Sequence, residues 1–497
     1  MPSWSEYPVQ KKMHQAQRAL RLSLGPTTSS NHPGFAKQLS AAPKVFLRYA
    51  KGLRHDPLQL LRIRRSKVRE RRVDNALGFR RIGTNLQRTT PMQLSGIPVL
   101  TIQEAQALNA PPETALGLPG RAYFAKDFYE AERRNVFAAG WMGVGFASDL
   151  KESGATKAIS IAGWELVLVR GQDGLVRCFH NICRHRGMKV IEGSCTVKNL
   201  RCPYHSWTYS LEGKLIATPA ISGVRQNESP GIDKDGLGLV PVRCEQWFDV
   251  LFVNIDGDAI PLKEHLRPAI NRIDRSFDLS EVQQGSGGRS GKFAYAANWK
   301  VILEGSIEDY HLPFVHRAFD HSTDYLTEDG GSVYAGFSSR RTVEEAIRRY
   351  ETENKGLQLP MMPKMLKSGV TESLALFVFP NTVLSCGPYA ISTSIIVPTG
   401  PESSEYISTT NFVKEGTGDD YAQLRQKNAD YWVEVFGEDE PIWETVQALS
   451  HQREELGLAT RFSPHWEKGL HLFQRYLADK LESRRVRDIE AIEPSDA

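Results

Sequence analysis

Cysteine is scarce: six in 497 residues, too few for a disulfide framework to hold a chain of this length. No apolar run approaches the ~20 residues that a helix needs to cross a bilayer. The longest, such as 159–169 and 250–253, are short and rich in β-branched residues, and read as buried strands. The chain also lacks internal repeats, low-complexity tracts and any glycine-rich dinucleotide fingerprint. These absences argue against a solenoid, a helical membrane bundle and an enzyme that binds its own nicotinamide. What remains has room for two or three domains of ordinary composition.

Charge is unevenly spread. Residues 1–90 carry 19 Lys and Arg against 4 acids, a net of +15, whereas the remainder carries 43 against 54, a net of −11. The overall +4 is therefore no sign of a nucleic-acid partner. Residues 11–24 have the arginine-rich, acid-free look of an organellar presequence, and a solvated basic arm fits equally well. A cytoplasmic location is expected, with an organellar matrix as the alternative.

A proline-punctuated linker over 91–122 follows this extension. Residues 127–141 predict an amphipathic helix with Phe128, Val136 and Phe137 turned inward. From residue 158 the pattern becomes β, with turns at Asp173-Gly174 and Glu212-Gly213 and strand signals through 239–254. Beyond 260, helical patterns at 299–316, 421–436, 442–456 and 464–481 alternate with strand patterns over 373–397. Ser463 is the expected N-cap of the last helix and Pro464 its first residue.

Four of the cysteines, Cys178, Cys183, Cys195 and Cys202, fall within 25 residues and among histidines. The order is Cys183-Arg184-His185, sixteen residues, then Cys202-Pro203-Tyr204-His205. Two thiolates on one iron and two imidazoles on the other would hold a [2Fe–2S] cluster, each loop giving one ligand to each iron. Structural zinc is the competing reading, although zinc half-motifs usually pair like ligands and these are mixed. Two further histidines, His311 and His316, stand five apart around Pro313. With one carboxylate they would make a facial triad with open positions, the set that suits Fe(II) and O2. One buried and one surface imidazole is the plain alternative.

The segments FHNICRHRGM and RCPYHSWTYSLEGKL resemble the Rieske domain of ring-hydroxylating and related oxygenases, and NWKVILEGSIEDYHLPFVH resembles their catalytic domain. The resemblance runs from about residue 121 to 481. The bracing disulfide of respiratory Rieske proteins is absent, with Met188 and Tyr204 in those regions, and Cys178, Cys195, Cys244 and Cys386 are expected to be plain buried thiols. The resemblance implies an α+β chain. An all-β Rieske [2Fe–2S] domain (123–257) precedes a helix-and-sheet catalytic domain (258–485) carrying mononuclear iron, and a short tail (486–497) follows.

It also implies roles. Cys183, His185, Cys202 and His205 would hold the cluster, and His311 and His316 the iron. The family's third ligand is an Asp at the start of a downstream helix, which maps onto Asp439 in the stretch from Gly437 to Gln447; Glu438 and Glu440 are the alternatives. A carboxylate that bridges to a Rieske histidine of the neighbouring subunit would be Glu308 or Asp309. Glu308 is preferred because residue i faces i+3 on a helix. Glu304 is a candidate supporting acid, and Gly305 stands where many members carry Asn. The implied function is hydroxylation of a small organic substrate with O2. Electrons would come from NAD(P)H through a separate reductase or ferredoxin, in a homotrimer. Quaternary ammonium compounds, aromatic acids and amines are all open as substrates, with 333–337 and 374–385 lining the pocket. An electron-transfer Rieske protein, or a non-catalytic relative, is the alternative.

Overall fold

The β-rich runs between residues 142 and 254 pair into antiparallel sheets in the computed structural model, which describes residues 99–288, 290–316, 324–326, 333–354 and 358–490. The basic extension and its presequence-like stretch lie outside the described residues. Ten short strands come first: β1 (Met142–Phe146), β2 (Ala155–Ile161), β3 (Trp164–Arg170), β4 (Val176–His180), β5 (Ser194–Thr196), β6 (Leu200–Arg201), β7 (Thr208–Tyr209), β8 (Leu215–Ala217), β9 (Pro241–Trp247) and β10 (Val250–Asn254). They form a seven-stranded sheet in the order β1-β10-β9-β4-β3-β2-β5 and a small β6-β7-β8 sheet. The apolar run 159–169 is two strands, not one. Ala162 and Gly163, both at positive φ (46° and 74°), fold it into the β2–β3 hairpin.

The second half builds an eight-stranded antiparallel sheet from β11 (Val282–Gln284), β12 (Gly291–Tyr295), β13 (Asp324–Leu326), β14 (Tyr334–Thr342), β15 (Val370–Val378), β16 (Thr382–Cys386), β17 (Ala390–Gly400) and β18 (Ser403–Val413). The two sheets meet at Gly143 of β1. Its N–H donates to the Asn381 side chain at 3.0 Å, and its carbonyl accepts from the same amide at 3.0 Å. A Cβ at Gly143 would come within 2.4 Å of Thr382 Oγ1, so only glycine permits this approach.

The sequence Asn298-Trp299-Lys300 opens helix Trp299–Ser306, and each residue has a task. Asn298 caps the helix, its side chain accepting from Lys300 N at 2.9 Å. Trp299 Nε1 donates to Glu132 at 3.0 Å, and Lys300 Nζ binds the same carboxylate at 2.6 Å. Glu132 and Lys300 are both fully buried. Glu132 ends the helix Lys126–Glu132; the turns after it, Arg133–Ala138, are wider and π-type, so the expected 127–141 helix stops three residues early. Phe128, Val136 and Phe137 are buried, as the periodicity requires.

The segment expected as one helix over 299–316 is broken. It leaves helical geometry after Ser306 and returns only for one turn, Leu312–Val315. The Glu308 carboxylate accepts the backbone N–H groups of Tyr310 and His311, taking donors that a helix would have used. Pro313 sits in the first turn of the short helix, where its missing N–H costs nothing.

Two helices expected at 421–436 and 442–456 are one, Ala422–Glu455, running through Pro441. Pro441 leaves the Gly437 carbonyl without its helical donor, but Gly437 is exposed and water can take that role. The last helix starts at Lys468 instead of Pro464. Ser463 Oγ does accept from Trp466 N at 3.2 Å, but it caps a turn that precedes the helix. Cys195, expected buried, is exposed on the edge strand β5, whereas Cys178 and Cys386 are buried and Cys244 is half-buried.

Removing one member of the Glu132–Lys300 pair strands a charge without solvent. Lys300→Met is expected to cost about 3–5 kcal/mol, and the double change with Glu132→Gln to recover much of it, as read by denaturant unfolding. Glu304, buried against Tyr123 Oη (3.0 Å) and Gln474 Nε2 (2.9 Å), has its pKa raised to about 7 by burial, which its hydrogen-bond donors only partly oppose. The folded pKa lies above the unfolded one, so this stability is complete below pH 4.5 and is lost as pH climbs to about 7. The loss is of the order of 3 kcal/mol. Glu304→Gln should flatten the difference in melting temperature between pH 5.5 and pH 8.

Candidate functional site

Two tight loops present the first set of residues. In each, the cysteine N–H donates to the carbonyl five residues on, Cys183 to Met188 and Cys202 to Trp207, both at 2.8 Å. In each, the residue four after the cysteine bonds back to its carbonyl and adopts positive φ: Gly187 at 74° and Ser206 at 59°. Asn181, fully buried, braces the first loop by accepting from Val190 N and Ile191 N and donating to the Ile191 carbonyl. The loops thus repeat one geometry and face each other.

Cys183 and Cys202 are buried, while His185 is half-buried and His205 exposed. The imidazole centroids are 4.6 Å apart, and His185 stacks on Trp207 at 4.8 Å. Burial, then the neighbouring His205 and Arg186, hold His185 below its ordinary pKa, favouring the neutral form that ligates a metal. Burial pushes the Cys202 thiol up, and Cys183 beside it adds to this. Paired thiolates there call for a cation between them.

Among the described residues, His311, His316 and Asp439 are the one group of three or more whose ligand atoms gather within 4.8 Å. The loops set like beside like, Cys183 against Cys202 and His185 against His205, which suits two irons with unlike ligand pairs. Tyr209 Oη, which accepts from Arg184 N at 3.0 Å, lies 3.3 Å from Cys183 Sγ and has its proton left to donate to it. Burial, then this sulfur, raise the Tyr209 pKa and keep the phenol protonated.

The second set converges from two distant segments. His316 Nε2 is 3.1 Å and His311 Nε2 3.9 Å from Asp439 Oδ1. The opposite ring nitrogens are held by other carboxylates, His311 Nδ1 by Glu308 at 2.5 Å and His316 Nδ1 by Glu438 at 2.8 Å. Both Nε2 lone pairs are thereby left toward Asp439, the arrangement that second carboxylates impose on metal-binding imidazoles. Burial lowers the His316 pKa, but Asp439 and Glu438 outweigh it and raise it. Three carboxylates around two imidazoles leave a negative excess that a divalent cation would neutralise.

Asp439 lies in mid-helix, not at a helix start. It shares a buried stripe with Trp443, Gln447 and Ser450 at helical spacing. Gln447 accepts from Asn298 N at 2.9 Å, which ties the helix to the head of the histidine segment. A Cβ at Gly305 would fall 2.4 Å from Trp443 Nε1, so the indole fills the space an Asn would have taken.

Of the two alternatives to Asp439, Glu438 holds the far nitrogen of His316, and Glu440 makes no such contact with either imidazole. Glu308 meets His311 through a loop rather than across a helical turn. Asp309 is fully buried. Glu304 faces the core instead of the imidazoles.

All three triad residues line a cavity of about 460 Å³. Phe337, Leu374, Phe377 and Ser385 of the expected stretches lie on its wall. Arg341 of β14 and Trp432 and Phe436 of the long helix also line it, and the sequence patterns did not single them out.

Comparison with known proteins agrees with both halves. A model of the Rieske [2Fe-2S] domain matches residues 140–228, and one of the ring hydroxylating alpha subunit (catalytic domain) matches 274–483. The carnitine monooxygenase oxygenase subunit of Acinetobacter baumannii is 30% identical over 247 residues, 48% of this chain and 64% of that protein. The chain thus spans just under two thirds of that relative's length. A chloroplastic choline monooxygenase of Beta vulgaris is 25% identical over 386 residues, covering 75% of this chain and 78% of that one. In fold, a quaternary ammonium Rieske monooxygenase solved with gamma-butyrobetaine superposes with a TM-score of 0.60 at 22% identity, covering 77% and 99%. With paired loops ahead of a two-histidine, one-carboxylate site, the chain belongs to the α subunits of the Rieske non-haem iron oxygenases.

Proposed function

We propose that this chain is the oxygenase subunit of a system that hydroxylates a small organic substrate with O2. Its electrons come from NAD(P)H through a separate reductase or ferredoxin. The observation that carries this reading is that His311, His316 and Asp439 form part of the wall of a cavity of about 460 Å³ lined by both apolar and polar side chains. A purely electron-transferring Rieske protein has no use for such a chamber.

The geometry supports these roles. Cys183 and Cys202, both buried, would hold one iron of the cluster, and His185 and His205 the other. His311, His316 and Asp439 would hold mononuclear iron. When bound, the two centres supply single electrons and a site for O2. Glu308 and Glu438 are positioning residues: each holds an imidazole by Nδ1 and fixes which nitrogen is presented. The division into a cluster domain over 123–257 and a catalytic domain over 258–485 follows these roles.

A head-to-tail homotrimer is the assembly we favour. Near the exposed His205, Met188 and Tyr204 are 43% and 55% exposed. Beside the triad, Tyr310 and Phe314 are exposed too, at 44% and 77%. Two different apolar surfaces on one chain suit a heterologous contact, which must close into a ring. Glu308, at the edge of the triad, would then lie at the junction. A quaternary ammonium Rieske monooxygenase of this fold is described as transferring electrons between subunits. No described helix is long and apolar enough to cross a membrane. A cytoplasmic location is the primary reading; the alternative, that the basic extension is a presequence, is consistent with a choline monooxygenase relative being chloroplastic.

Reconstituted protein should hold about three irons per chain, two in the cluster and one mononuclear. His311→Ala should reduce this to about two and abolish reductase-driven O2 uptake while keeping the EPR signal of the reduced cluster. Uptake undiminished in that variant would sink the assignment. Tyr209→Phe removes a hydrogen bond to Cys183 sulfur that favours the more negative, reduced cluster. Its reduction potential should fall in an EPR-monitored redox titration, with iron content unchanged.

A further inference from the structure

The wall of the catalytic cavity changes character along β14 and β15, and this bears on which substrate the proposed oxygenase takes. The inference rests on that reading and extends it. Side chains alternate faces along a strand. On β14, Phe337, Ser339 and Arg341 line the cavity. Ser338 and Arg340 point the other way: Ser338 Oγ lies 3.4 Å from Arg272 Nη2, and Arg340 Nε 3.4 Å from Glu372 Oε1. The register then sets Phe337 opposite Ala375, Ser339 opposite Ser373 and Arg341 opposite Thr371. Each of these partners also lines the cavity.

Three cross-strand pairs thus form a gradient from apolar, through paired hydroxyls, to a guanidinium beside a hydroxyl. It spans roughly 13 Å along the strand. The aromatic rings of Phe377, Trp432 and Phe436 add to the apolar part of the wall. Among the described lining residues, negative charge is confined to the triad and its neighbour Glu308. The carboxylates among the described lining residues are Glu308 and Asp439, and both are committed to the imidazoles. A cationic substrate would meet the Arg341 guanidinium with no lining carboxylate beside it; Glu345, the acid that acts on Arg341, is exposed and lies outside the lining. A carboxylate there would meet a guanidinium, whose planar fork matches its two oxygens.

We infer that the substrate is a carboxylic acid with an apolar or aromatic body, its carboxylate held by Arg341 and the Ser339 and Ser373 hydroxyls. A simple quaternary ammonium compound does not fit this wall. Arg341 is then the specificity-determining residue, and the body of the substrate lies along β14 and β15.

The test is calorimetric titration of the iron-loaded protein with benzoate, 3-phenylpropionate and hexanoate, each against its own amide, with benzyltrimethylammonium as the cationic probe. At least one acid should bind about tenfold or more tightly than its amide, and the preference should shrink with added salt. Arg341→Gln should erase the preference while leaving amide binding and the circular dichroism spectrum unchanged, and Arg341→Lys should keep part of it. Failure of every acid to exceed its amide, non-binding included, overturns the inference. So does tightest binding by the cation, or a preference that survives in Arg341→Gln. Iron content and reductase-driven O2 uptake report on the oxygenase assignment separately, and neither depends on which charge the pocket prefers.

Discussion

Lys300 and Glu132 carry opposite charges into a region without solvent, and the placement of His311, His316 and Asp439 follows from their pairing. Such a pair is weak evidence for stability, because desolvation offsets most of the attraction. What it does contribute is position. Lys300, Trp299 and the cap Asn298 leave helix Trp299–Ser306 one way to dock on Glu132. The chain leaving that helix carries Glu308, His311 and His316, so an error at its base would be carried into the two imidazoles. Gln447 extends the same bracing to Asp439 by gripping Asn298 N from the long helix. His311 and Asp439, 128 residues apart in the chain, therefore share one rigid foundation.

The imidazoles show how much a side-chain cluster depends on the residues that orient it. His311 and His316 each have one nitrogen on a carboxylate, and each carboxylate comes from a residue next to a distinctive element. Glu308 lies in the irregular stretch it helps to create, and Glu438 directly precedes Asp439. The interruption after Ser306 is thus not a defect in a helix. It is where the backbone gives up regular bonding so that one side chain can serve two amides and a ring.

Much of this was legible in the sequence where chemistry fixes spacing. The mixed Cys-x-His and Cys-x2-His halves stand out because few other arrangements need them, and the structure brings them together on matching loops. Asn298, His311, His316, Asp439 and Gln447 were readable as a set only through the family resemblance, since two histidines five apart say little alone. What could not be read depends on contacts across the fold. The continuity of the long helix through Pro441 rests on an exposed Gly437 carbonyl, which local pattern cannot reveal. The pairing of Glu438 with His316 needs the two segments brought together first. Only strand register puts Arg341 on the cavity face, and only the pairing of β5 puts Cys195, expected buried, on a sheet edge.

Gly305 and Trp443 illustrate what such packing does to a sequence over time. With no side chain on one and a buried indole on the other, the two positions occupy a single volume. Neither can drift alone: a larger residue at 305 has no room until 443 shrinks, and a smaller 443 opens a void until 305 grows. In a set of related chains these two columns should covary. A lineage can then exchange glycine-plus-tryptophan for amide-plus-small only by crossing an unfavourable intermediate, which partitions the family into separate solutions of one spatial problem.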